Sequence, residues 1–190
     1  MSITSYRLYA FALMVVVGAG LSMPPLAAAQ TPYTFEMSAG YQLLHVPDDW
    51  FPFGLNIDGS RNFNNGWGVV GELGWAHNSD DELGIDISSN VFNLGAGPRW
   101  TSRRNPRVMP FGQVLAGLVH ARTSGDLAGV DASDTHFMLQ PGVGVTFVRG
   151  DGWGIVGAVD YRRVFLDEDK FGESGQNVLR VFLGLRMLLD

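Results

Sequence analysis

Residues 176–189, QNVLRVFLGLRMLL, alternate with period two. Leu179, Val181, Leu183, Leu185, Met187 and Leu189 form one unbroken apolar set; Val178, Arg180, Phe182, Gly184 and Arg186 hold the other parity. Successive side chains of a strand point to opposite faces, so this segment predicts a β-strand with one hydrocarbon face and one face of arginine and glycine. The alternation recurs upstream. In residues 33–46, Phe35, Met37, Ala39, Tyr41 and Leu43 oppose Glu36, Ser38, Gly40 and Gln42. In 53–63, Leu55 and Ile57 oppose Asn56, Asp58 and Ser60, and in 67–76, Val69, Leu73 and Trp75 oppose Gly68, Glu72 and Gly74. In 87–100, Phe92, Leu94 and Trp100 oppose Asn93, Gly95 and Arg99. In 135–148, Phe137, Leu139, Val143 and Phe147 oppose His136, Met138, Gln140 and Thr146; in 153–165, Ile155, Val159 and Tyr161 oppose Ala158, Asp160 and Arg162. Residues 108–121 are the least regular: Val114, Ala116 and Leu118 oppose Gln113, Leu115 and Gly117, and the pattern leaves their facing open.

Eight strands are therefore expected, joined by connections of alternating length. Asn64-Asn65-Gly66 and Asp151-Gly152 read as hairpin turns, since Asn-Gly and Asp-Gly tolerate positive φ, and residues 102–106 form a third short turn. The intervening loops, at 47–52, 77–86, 122–134 and 166–175, are longer. Charge follows the same division. The longer loops hold 13 acidic residues against Arg122 and Lys170, whereas the short turns are rich in arginine, with Arg61, Arg103, Arg104, Arg107 and Arg149 against Asp151. A two-ended object is implied. Short turns at one end and long loops at the other are the pattern of an outer-membrane barrel, and an even strand number puts both termini at the periplasmic end.

A soluble, lipocalin-like periplasmic barrel shows the same alternation with hydrocarbon inside, and is the competing architecture. The polar parity separates the two. It carries glycine, small residues and single charges, Glu36, Glu72, Arg99, Asp160, Arg162, Arg180 and Arg186, rather than a solvated mixture of Lys, Glu and Thr. Such a set suits the crowded interior of an eight-stranded barrel, which side chains fill. Trp67, Trp100, Phe147 and Trp153 fall near the short turns, where an aromatic girdle belongs. The fold expected is all-β, an eight-stranded antiparallel up-and-down transmembrane β-barrel. Its inner charges read as either a polar conduit or an ion-pair network filling the lumen. The network is favoured, because eight strands leave no wide aqueous channel and buried charges must pair. Glu72 with Arg99, and Glu36 with Arg180 or Arg186, are the expected pairs.

Composition adds the ends of the chain and some exclusions. Arg7, the apolar run 10–21 and Ala27-Ala28-Ala29 read as a secretory signal peptide spanning 1–29, leaving a barrel domain at 30–190. After it, 12 Lys and Arg face 19 Asp and Glu, a net charge of −7 that disfavours nucleic acid as a partner. No cysteine is present, which excludes disulfides, thiolate metal sites and a cysteine nucleophile.

Candidate chemistry is sparse. His77-Asn78-Ser79 with Glu82 offers a base, a hydroxyl and an acid that suit acyl transfer at a lipid rim, the chemistry of a lipid A deacylase; a polar loop start is the plainer reading. His45, His120 and His136 lie singly near loops. Asp80-Asp81-Glu82 and Asp167-Glu168-Asp169 lack calcium-loop spacing, so neither metal nor cofactor is expected.

Leu55-Asn56, the run from Trp67 to Gly74, Asn93 to Trp100, Pro110-Phe111-Gly112-Gln113 and Gln140 to Val145 together resemble the small eight-stranded outer-membrane β-barrel domain family. This is the opacity-protein and porin-family-like group, similar in build to the OmpA and OmpX barrels. The resemblance spans nearly all of 33–190 and implies an integral barrel of a Gram-negative outer membrane without implying a defined activity. One departure is the ending Leu188-Leu189-Asp190, where such barrels usually carry a final aromatic residue. The expected role is structural or in surface interaction. Lipid surrounds the wall, and the acidic loops face an external ligand or host surface.

Overall fold

The computed structural model describes residues 33–47, 49–63, 65–82, 85–125, 132–166 and 175–190. The expected signal segment, residues 126–131 of the loop at 122–134 and residues 167–174 of the loop at 166–175 lie outside the described residues. The strands are β1 (Phe35–Val46), β2 (Asp49–Phe51), β3 (Phe53–Asn62), β4 (Trp67–Glu82), β5 (Ile85–Thr101), β6 (Val108–Gly125), β7 (Ala132–Gly150), β8 (Trp153–Phe165) and β9 (Gln176–Leu189). Each long strand pairs antiparallel with its neighbour in sequence, and β1 pairs with β9 to close an eight-stranded barrel. The short β2 folds back on the outer end of β1, setting Phe51 opposite Leu44.

Three loop expectations are corrected. The β4–β5 ladder continues through residues 77–82 and 85–86 to the pair Glu82–Ile85. β6 and β7 likewise extend into the expected loop at 122–134, with Thr123 paired to Ala132. Residues 47–52 contain β2 rather than a plain connection. The reason is that alternation marks only the part of a strand with unlike surroundings on its two faces. Beyond the bilayer both faces are polar, the pattern fades, and backbone hydrogen bonds alone carry the ladder. At about 3.4 Å per residue, β4 to β7 are longer than the roughly 9–11 residues a tilted strand needs to cross a membrane.

The apolar parity faces outward along the wall. Leu55, Leu183 and Leu185 are each about 60% exposed, whereas Arg99, Arg162, Arg180 and Arg186 are all but fully buried. This facing rules out the soluble barrel with hydrocarbon inside. It also settles β6, where Val114 and Leu118 point out and Phe111, Gln113, Leu115 and Val119 point in. Trp67 and Trp100 are cross-strand partners at the short-turn end, and with Phe147 and Trp153 they lie exposed on the outer face there. Pro98 and Pro141 each fall in a two-residue gap, at 97–98 of the β5–β6 ladder and 140–141 of the β7–β8 ladder, where a residue without an N–H cannot donate.

The closing seam depends on close backbone approach. Gly40 of β1 faces Gly184 of β9, and a Cβ on either would run into the backbone of the opposite strand. The turns at Gly66 and Gly152 have φ of 85° and 82°, as the Asn-Gly and Asp-Gly signals predict.

Candidate functional site in the barrel lumen

The lumen is built from the inward parity of eight strands, and its contents are layered along the barrel. At the short-turn end, Glu36 (β1) accepts from Asn62 at 2.8 Å and pairs with Arg186 (β9) at 3.3 Å. Arg103, from the turn after β5, folds inward to reach the same carboxylate at 3.2 Å. Asp58 (β3) accepts from the Ser38 hydroxyl at 2.7 Å and from Arg99 Nη1 at 2.9 Å. Arg186 donates to Ser38 and Thr146, each at 3.0 Å. The Arg99 and Arg186 guanidiniums both lie 4.8 Å from the Phe111 ring centroid, so a single buried aromatic ring carries two cations.

A second cluster lies farther toward the long-loop end. Arg180 Nη2 sits 2.7 Å from Asp160 and 2.8 Å from Glu72. Glu72 also accepts from Asn93 at 3.1 Å and Gln140 at 3.2 Å, and Gln140 in turn accepts from Arg162 Nε at 2.7 Å. Arg162 Nη2 is 3.8 Å from Glu72 and makes no hydrogen bond. Gln113 joins the two clusters, accepting from Arg99 at 2.9 Å and donating to Asp160 at 3.0 Å. Gly142 leaves the room this requires, because a side chain there would collide with the Asp160 carboxylate.

All seven charges singled out from the sequence therefore lie inside, in ion pairs. Their pairing differs in one respect. Glu36 meets Arg186 as expected, but Glu72 and Arg99 do not meet. The β4–β5 register sets Glu72 opposite Gly95 and Arg99 opposite Gly68, an offset of four residues and roughly 13 Å. Arg99 takes Asp58 instead, and Glu72 takes Arg180 from across the lumen. Asp58, Gln113, Gln140, Arg103 and Phe111 were not singled out as network members. Inward parity was the available signal for Asp58, Gln140 and Gln113; nothing in the pattern shows that a turn arginine folds back into the barrel.

Above the second cluster the lumen becomes apolar. Leu44, Ala76, Val119, Met138, Val164 and Val178 are buried together there, with Val46, Phe51, Val91 and Leu166 packed against them. The remaining candidates are peripheral. His77 Nδ1 lies 3.1 Å from Asn90 Oδ1, which also accepts from Trp75 Nε1 at 3.2 Å, and Trp75 and His77 stack. His77 thus takes an amide partner. Among the described residues, no three His, Asp or Glu side chains converge as a metal site would require.

Residues 13–184 match the outer membrane protein beta-barrel domain. The chain belongs to that family. It is a protein of the bacterial outer membrane. Solved structures of the same build include Ail, the attachment invasion locus protein of Yersinia pestis, at 24% identity over 80% of this chain and 96% of that one, TM-score 0.55. Neisserial surface protein A is 15% identical over 82% and 96% of the two chains, TM-score 0.59. OprG of Pseudomonas aeruginosa is 12% identical over 84% and 97%, TM-score 0.52. At these identities the likeness concerns the fold. No curated protein matches the sequence.

Proposed function

We propose that this protein is a closed, non-catalytic outer-membrane barrel whose lumen is plugged by its own ion pairs and whose acidic outer end engages an external partner. The observation that carries the plug is Gln113. By bridging Arg99 and Asp160 it ties the two charged clusters into one network that reaches from Glu36 to Arg162. A conduit would need mobile charges and continuous water; these side chains are buried and hold one another at hydrogen-bond distance. The rim enzyme is the weaker reading, because His77 has the Asn90 amide where a catalytic base would want a carboxylate. Planar-bilayer recording tests the plug. Purified protein should add no stepwise conductance above the bare membrane. Reproducible single-channel steps from folded, heat-modifiable protein would overturn it.

A further inference from the structure

The apolar layer at the outer end of the lumen borders a cavity of about 490 Å³, with Leu44, Val119, Val164 and Val178 among its walls and Arg162, Arg122, Asp134 and His136 also in its lining. The cavity opens toward the long-loop end and is closed beneath by the ion-pair network. Cross-strand register sets Arg162 directly beside Val178, and Val164 is the next inward residue of β8. Hydrocarbon walls around a buried guanidinium are an unusual pairing. The plug alone does not explain it, since a lumen that only needed filling would be packed solid.

Arg162 is poorly served by its neighbours. Its Nε bond to Gln140 is short, but Nη2 has no hydrogen bond among the described residues. The nearest acid, Glu72, already accepts from Arg180, Asn93 and Gln140, so it meets Arg162 only at 3.8 Å. Leaving a buried charged donor without a partner is costly, and an anion placed beside it removes that cost. The valine- and leucine-lined part of the cavity favours apolar matter, while its polar side chains keep water until a ligand displaces it.

We propose that the cavity is a blind binding site for a small amphipathic anion, with an alkyl chain of medium length lying against the valine and leucine walls and its carboxylate seated on Arg162. The site goes beyond the surface role and needs no partner at the loops. A neutral apolar molecule would strip water from the guanidinium without replacing its bonds. An amphipathic cation would be repelled from the floor.

The test uses the full barrel in nanodiscs with methionine methyl groups labelled for NMR. Met138 lies in the apolar layer, Met109 near the short turns, and Met37 and Met187 face lipid. Octanoate should shift Met138 saturably and leave Met109 unmoved, and octanol and octylamine should bind at least tenfold more weakly. Arg162→Gln should remove the preference for octanoate. Val119→Phe, which fills the cavity without touching the ion pairs, should abolish the Met138 shift. The proposal is overturned if Met138 moves only in step with Met37 and Met187, which is partition into the bilayer. It is equally overturned if octanol or octylamine binds as tightly as octanoate, or if Val119→Phe leaves the shift intact in folded protein.

Discussion

Asp58 and Arg99 meet at 2.9 Å inside the lumen, where both are almost wholly buried. A charge removed from water is tolerated only while its partner and its other hydrogen bonds are in place, so loss of one member is worse than loss of both. Asp58→Asn or Arg99→Gln alone should cost about 3–5 kcal/mol, and the double variant clearly less than the sum. The same cycle on Glu72 and Arg99 should show clearly weaker coupling, because the two do not touch and are linked only through Gln113, Asp160 and Arg180. Urea unfolding in lipid vesicles measures both cycles. Coupling of Glu72 with Arg99 that equals the coupling of Asp58 with Arg99 would mean that the register is misplaced. Inward parity was enough to find seven of the buried charges, whereas Asp58 on the same parity was not singled out and Arg103 folds in from a turn. Partner choice was not legible, because Arg180 and Glu72 belong to β9 and β4, which meet only once the sheet has closed.

At the scale of the element, β9 shows how much a strand's surroundings are written into its alternation. Its expected bounds and both faces match the structure, because lipid on one side and the lumen on the other impose opposite demands over its whole length. β8 is legible for the same reason. Alternation fades before the ends of β4 and β5, since residues 77–82 and 85–86 are mostly polar on both parities and the pattern there marks no face. The apolar layer inside the mouth escaped notice for a related reason. Leu44, Val164 and Val178 fall on the inward parity, but the charges farther down those strands gave that parity a polar character overall. β9 also supplies the test of facing. Leu183 is 61% exposed and lies between Tyr41 and Gly157 on the neighbouring strands. Leu183→Arg should destabilise the barrel in bilayers by roughly 2–4 kcal/mol, the typical effect of arginine at mid-membrane depth. An unchanged unfolding midpoint would place that face in water.

For the whole molecule the governing feature is polarity from end to end. The short-turn end carries Arg61, Arg104, Arg107 and Arg149, while the loops and strand tips of the other end carry nearly all the remaining acids. A single-sign field of this kind steers partners of the opposite sign and rejects those of its own, most strongly at low salt. The outer end has 13 acidic residues against Arg122, Arg163 and Lys170, so a polyanion meets repulsion there. A basic peptide or a basic patch on a host protein is the complementary surface. Protein reconstituted in neutral vesicles should therefore retain oligolysine and not heparin. Retention should fall steeply between about 50 and 200 mM salt, as the Debye length shrinks below the spacing of the loop charges. Replacing Asp167, Glu168 and Asp169 by their amides should weaken it without altering heat-modifiable folding. Heparin binding at physiological salt, or oligolysine binding indifferent to salt and to the triple replacement, would show that charge does not select the partner.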